Sequence, residues 1–341
     1  MSGMRAVVVA RPGVYGVEQV DSPVARAGEV VVEVRACGLC GTDVHIAHGE
    51  FPPAPYPLIP GHEFAGVVVA VGEGVDAPLL GARVAVDPTL SCGRCTPCRQ
   101  GHTNLCERWG AIGDTVAGGL AERVAVPAAN CYTVPAGLDW GAAALIEPLA
   151  CAVWGARRAQ PAPGATVLIT GGGTMGLLLG QVLRRVGAAR VVVAEPHPGR
   201  RQIAEEVGLD HAAAPDDAEA LAAAAATADA RFDLVADCSG RPAVIREAMG
   251  RVRRGGTFLV FGVAPTGAEV PVRPYDLYFG DMTIVGSMAI NGTFGAAVRL
   301  APTLALRPLL APALDLAAYP EAIEAFGRGM HPKQQLHPGG A

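Results

Sequence analysis

The sequence predicts a β-rich part joined to a doubly wound α/β part, and three observations lead there. Residues 1–153 alternate short apolar β runs with Gly and Pro turns. From Val167 onward, buried-strand runs alternate with segments of helical period. The first of those strands ends in a glycine cluster, TGGGTMG, that opens a helix. At 341 residues the chain is also long for one hydrophobic core.

The β runs of the first part are MRAVVVA, EVVVEVRA, EFAGVVVAVG and ARVAVDP. After them comes SCGRCTPCRQGHTNLC, with Cys92, Cys95, Cys98 and Cys106 spaced C-x2-C-x2-C-x7-C. Gly93, Pro97 and Gly101 let the backbone fold around one ion. Four thiolates favour zinc or an iron–sulfur cluster over calcium or magnesium. The seven-residue gap, with no proline after the last cysteine, departs from the ferredoxin pattern and favours zinc. A zinc whose four positions are all protein thiolates has no place for substrate. It braces its loop, by ~10–16 kcal/mol in isolated zinc peptides.

In the second part, Val167–Thr170 reads as a strand, and Gly171, Gly173 and Gly176 fit G-x-G-x-x-G at its end. The helix that follows carries Met175, Leu178, Leu179, Val182, Leu183 and Val186 on one face. A strand over Arg190–Ala194 then leads to Glu195. With 44 glycines in the chain the motif alone is weak, but strand, glycines, helix, strand and terminal acid in order form a dinucleotide site. The glycines, with Thr174 and Met175 between them, let backbone approach a pyrophosphate at the helix N-terminus. Glu195 suits ribose hydroxyls and repels a 2′-phosphate, whereas Arg200 and Arg201 could accommodate one; NAD is the cofactor expected over NADP. FDLVADCSG, GTFLVFGV (ending at Val263) and MTIVGSM continue the sheet.

A second metal-type grouping is dispersed. Cys37 and Cys40 form a C-x2-C that could be a redox pair. Cys40 could instead join His62 and Glu63 of GHE and Glu147 of EPLA in a mixed, incompletely saturated zinc site. Spacing alone does not make them converge.

Composition narrows the partners. Net charge is −5 with no long basic run, which argues against nucleic acid and membrane surfaces and against reading the four cysteines as a recognition ribbon. No apolar run is long enough to span a bilayer and no secretory signal opens the chain, so a cytoplasmic protein with unpaired thiols is expected. Lys333 is the only lysine; that bias and the alanine-rich run near residue 220 carry no chemistry in this reading.

CGTDVH, GHEFAG, the four-cysteine lobe, EPLACAV and the glycine motif occur in the order found in the zinc-dependent medium-chain dehydrogenase/reductase family. The chain resembles that family over essentially its whole length, and EPLA resembles the polyol, sorbitol-type branch. The resemblance implies a GroES-like catalytic domain over 1–153 and 290–341, with the lobe at 91–107, and a Rossmann NAD-binding domain over 154–289. It implies two zinc ions per chain, the catalytic one on Cys40, His62, Glu63 and Glu147, with Asp43 behind the histidine. Thr42 and His45 would relay a proton, and Arg200 and Val263 would join the cofactor contacts. The implied reaction moves a hydride between NAD(H) and the carbinol carbon of a polyol, cyclitol or secondary alcohol, with the matching ketone as product. The implied assembly is a homodimer or homotetramer.

Met288, Ala289 and Trp154 stand where sorbitol-type relatives differ, which puts sorbitol itself in doubt. Two rival readings are a threonine- or amino-alcohol-type dehydrogenase, suggested by CGTDVHI, and a protein that senses NAD without turnover.

Overall fold

The structure, a computed structural model, describes residues 3–76, 79–225 and 229–339. By contacts it divides into two compact units. One comprises residues up to Ala150, Ile290–Gly329 and Lys333 onward; the other comprises Cys151–Ala289 and Met330–Pro332.

The first unit begins with a hairpin of β1 (Gly3–Arg11) and β2 (Val14–Asp21). There follow β3 (Glu29–Gly38), α1 (Gly41–His48), β4 (Glu63–Val71), β5 (Arg83–Val86) and β6 (Thr89–Leu90). Next come α2 (Thr96–Arg99), β7 (Gly110–Ala111), β8 (Arg123–Pro127), β9 (Cys131–Thr133) and α3 (Trp140–Ala144). Helix α4 (Ile146–Ala159) is continuous across the point where the units divide, so the division after Ala150 leaves no Gly- or Pro-rich mark in the sequence.

The second unit alternates strand and helix: β10 (Thr166–Thr170), α5 (Thr174–Arg185), β11 (Arg190–Ala194), α6 (Pro198–Glu206), β12 (His211–Ala213) and α7 (Ala218–Ala225). It continues with β13 (Phe232–Asp237), α8 (Pro242–Met249), β14 (Val252–Val260), α9 (Pro274–Gly280) and β15 (Thr283–Gly286). The chain then returns to the first unit with α10 (Phe294–Leu300), α11 (Tyr319–Glu324) and β16 (Gln335–Leu336).

The second unit is one parallel sheet in the order β12-β11-β10-β13-β14-β15. Its central strands β10, β11 and β13 are buried on both faces, as helix-covered parallel strands must be, while the edge strand β15 is largely exposed. On α5 the buried set is Leu177, Leu178, Leu179, Val182 and Leu183; Val186 stands exposed at the C-cap, one turn beyond the covered stripe. In the first unit the main sheet runs β16-β3-β4-β5-β9, with β8 also on β3. Val32, Val34, Phe64, Val84, Val126 and Leu336 share its core. Among the described residues no helix is long and apolar enough to cross a membrane.

Candidate metal centres and nucleotide site

Strand pairing explains why residues far apart in sequence meet. β3 and β4 are antiparallel with Gly38 opposite Glu63, so the chain leaving β3 at Cys40 lies beside the chain entering β4 at His62 and Glu63. Cys40 is the N-cap of α1, and its N–H donates to Asp43 Oδ2 at 2.8 Å. One ligand atom from each of Cys40, His62 and Glu63 lies within 4.8 Å of the others. A side chain at Gly38 would crowd Glu63, its Cβ meeting Oε2 at 2.2 Å. Cys37 is fully buried in the strand core, so the C-x2-C is no redox pair.

The surroundings are unusually acidic for an interior. Asp43, Asp114 and Glu147 are buried with Glu63. Burial raises the Asp43 carboxyl to about 6 and that of Glu147 to about 8, with His62 opposing both shifts. Glu147 is outside the three-residue group but feels the charges of His62, Glu63 and Lys333. Burial pulls the His62 imidazole down, yet Asp114 and Cys40 together hold it well above its usual value. A mixed S, N and O donor set amid surplus buried acid fits a divalent cation of zinc's preferences.

Sequence reasoning missed two residues here. Lys333 has its Nζ 2.7 and 2.6 Å from the two oxygens of Glu63, and it donates to Leu39 O at 2.8 Å. Antiparallel pairing of Gln335 with Gly38 delivers it there. The lone lysine therefore carries chemistry after all. The second is Asp114, whose Oδ1 lies 2.9 Å from His62 Nδ1. The resemblance implies Asp43 behind that histidine; in the structure Asp43 accepts the Cys40 N–H and feels the charge of His62, and Asp114 is a further carboxylate at the imidazole nitrogen. Neither signal was available locally: Lys333 and Asp114 arrive through long-range pairing and loop packing.

Thr42 Oγ1 is 3.7 Å from Cys40 Sγ. His45 is exposed, with Nδ1 2.8 Å from Glu50 Oε2. Ile46 is fully buried with Val9 and Leu58, a core residue and not a surface for substrate. Trp154 carries the Arg158 guanidinium at 6.0 Å, and Met288 is exposed.

The four thiols of the lobe also converge within 4.8 Å. Gly93 and Gly101 take positive φ, 66° and 82°, at the turns that bring them round. Backbone N–H groups already face the sulfurs: Cys92 N to Cys106 Sγ at 3.3 Å, Cys95 N to Cys92 Sγ at 3.4 Å and Arg108 N to Cys106 Sγ at 3.3 Å. N–H groups of Arg94 and Cys95 lower the Cys92 thiol to about 5, while desolvation and its neighbours push Cys98 up to about 12. Four crowded thiolates need a cation, and the tetrathiolate set suits zinc.

In the second unit, parallel register sets Thr170, Ala194 and Asp237 side by side. Their C-terminal ends flank the switch in strand order between β10 and β13, where such sheets bind nucleotides. Gly176 allows α5 to approach, since a Cβ there would meet Gly171 O at 1.9 Å. Glu195 is buried and accepts the N–H groups of Gly172 at 2.7 Å and His197 at 2.8 Å. Arg201 Nη1 donates to the carbonyls of Glu195 and Pro196, holding the turn. Thr174 Oγ1 donates to Pro332 O at 2.9 Å, Met175 is half-buried, and Val263 is exposed.

Two family models match the chain: the alcohol dehydrogenase GroES-like domain over residues 26–136 and the zinc-binding dehydrogenase domain over residues 174–302. D-arabinitol dehydrogenase 1 of Uromyces fabae is 36% identical over 86% of this chain and 85% of its own length. The chain belongs to the zinc-dependent medium-chain dehydrogenase family. D-altritol 5-dehydrogenase of Agrobacterium fabrum is 37% identical over 81% of each chain. A solved candidate zinc-binding dehydrogenase from Sinorhizobium meliloti, bound to NADP, superposes with a TM-score of 0.95 at 34% identity, covering 99% of this chain and 100% of that one. As a zinc-binding, NAD(P)-linked dehydrogenase, the chain combines a GroES-like domain with a parallel-sheet nucleotide-binding domain.

Proposed function

We propose that this dehydrogenase oxidises a polyol, cyclitol or related secondary alcohol with NAD, using one catalytic and one structural zinc. The observation that carries the reading is the meeting of Cys40, His62 and Glu63 amid buried carboxyls. Similarity to the arabinitol and altritol dehydrogenases directs it toward polyhydroxy substrates.

Cys40 and His62 hold the catalytic ion, with Glu63 or Glu147 completing the set; Cys92, Cys95, Cys98 and Cys106 hold the structural one. A zinc with an open position makes a bound hydroxyl far more acidic and polarises a carbonyl. By holding the ion, Cys40 and His62 would set where a substrate oxygen binds. Lys333 shares the Glu63 charge, so the protein side of the site is not overloaded with anions. Thr42, 3.7 Å from Cys40 Sγ, would receive the substrate proton, and His45, which is exposed, would pass it to solvent.

The test is NADH formation by purified protein against polyols, cyclitols, simple secondary alcohols and threonine, with and without chelator. Chelator-sensitive turnover of a polyol or cyclitol is expected. Turnover of threonine alone would replace the substrate assignment, and zinc-loaded protein that binds NAD without turning over any of them would favour a sensor.

Glu195 accounts for NAD over NADP, because a buried carboxylate opposes a 2′-phosphate. Glu195→Ala is expected to lower kcat/KM for NAD by roughly 10–100-fold, the worth of hydrogen bonds to a charged group, and to raise the NADP-to-NAD ratio. A wild-type enzyme that prefers NADP would overturn the cofactor assignment. The protein is further expected to be a homodimer or homotetramer: β15 is an edge strand with Ile284 exposed, and Tyr275, Tyr278 and Phe279 of the adjoining α9 are also exposed. Sedimentation equilibrium would report the state, and a monomer at micromolar concentration would refute it.

A further inference from the structure

The loop from Ala111 to Gly119 is built onto the segment Gly61–His62, and its one acid faces the imidazole. Gly119 N donates to Gly61 O at 2.7 Å, and Gly118 N to Ile59 O at 2.8 Å. The fit leaves no room for side chains: a Cβ on Gly113 would meet Gly61 O at 2.3 Å and His62 N at 2.7 Å, and one on Gly118 would meet Gly61 O at 2.3 Å. Gly113 also takes a φ of +92°, a conformation glycine adopts freely. Backbone bonds from Asp114 N to Ala111 O at 3.1 Å and from Gly113 N to Val116 O at 2.8 Å close the turn. Asp114 is thereby carried inside, with its side chain 9% exposed and Oδ1 2.9 Å from His62 Nδ1. No hydrogen-bonding partner for that oxygen is found among the described residues. His62 Nδ1 likewise has no hydrogen-bonding partner among the described residues, so the two atoms meet at ion-pair distance without a hydrogen bond between them.

We propose that Asp114 is a positioning residue for His62, holding the proton on Nδ1 so that Nε2 is presented to the metal. Metal-bound histidines are commonly oriented in this way by a carboxylate on the opposite ring nitrogen. Asp43, the nearer acid in sequence to Cys40, accepts the Cys40 N–H through Oδ2 and acts on His62 through its charge. The proposal rests on the reading that His62 ligates zinc, and its test separates the two.

Zinc bound per chain is measured in competition with a graded chelator for wild type, Asp114→Ala, Asp114→Asn, Asp43→Asn and Cys40→Ser. The His62 ring nitrogens are followed by 15N NMR in the zinc-loaded proteins. Removing a carboxylate that orients a ligand histidine is expected to weaken the catalytic zinc by about 10–100-fold. Asp114→Ala should show that loss with the lobe zinc retained, and Asp114→Asn a smaller one, because an amide oxygen keeps an acceptor facing Nδ1. Retention of the lobe zinc also reports that each variant is folded. Wild-type affinity and an unchanged Nδ1–H signal in Asp114→Ala would overturn the proposal. So would a shifted signal in Asp43→Asn with none in Asp114→Ala. If Cys40→Ser retains both zinc ions, the assignment of the metal site itself is at fault; if it loses one while Asp114→Ala loses none, only the role of Asp114 falls.

Discussion

Cys40→Ser is expected to lower kcat/KM by about a thousandfold or more while leaving NAD binding intact. A Lewis-acidic zinc supplies several kcal/mol to such a reaction, and roughly 4 kcal/mol corresponds to three decades in rate. Serine keeps the shape of Cys40 and its place at the head of α1, but a neutral hydroxyl is a poor substitute for thiolate. Zinc should fall from two to one per chain, the survivor being in the lobe, where no residue is changed. The readouts are turnover, metal content and NAD titration on the same preparation. Near-wild-type turnover with both ions retained would remove Cys40 from the catalytic site.

Lys333→Met is expected to destabilise the fold strongly. Lys333 and Glu63 are both almost wholly buried, with side-chain exposures of 4% and 2%. Removing one partner of a buried pair leaves an uncompensated charge, at a cost of about 3–5 kcal/mol. The loss should be greater in chelator-treated protein, where no dication stands in for the missing ammonium. Adding Glu63→Gln should restore much of the stability, because the orphaned charge is gone. Urea midpoints of the single and double variants with and without zinc check this; an unchanged midpoint in Lys333→Met would show that the pair contributes nothing net.

These two residues illustrate what could be read from sequence and what could not. The grouping of the lobe is legible because its four cysteines fall within one short loop, and the strand–glycine–helix unit because its parts are contiguous. Cys40, His62 and Glu63 were recognised through their motif order, and the structure supplies the cause: Gly38 pairs with Glu63. Lys333 was invisible because it is 270 residues from Glu63 and nothing around it in sequence signals burial. Asp114 sits in a loop whose glycines read as an ordinary turn. Their tight fit against Gly61 is a tertiary fact.

The lone lysine has an experimental use. Apart from the chain's α-amino group, Lys333 is the only primary amine that the protein offers to acylating or alkylating reagents. Buried and engaged by Glu63 and Leu39, it should resist such reagents as long as the fold is intact. The rate at which it becomes labelled would therefore time the opening of the core around Glu63, residue-specifically and without any engineered probe.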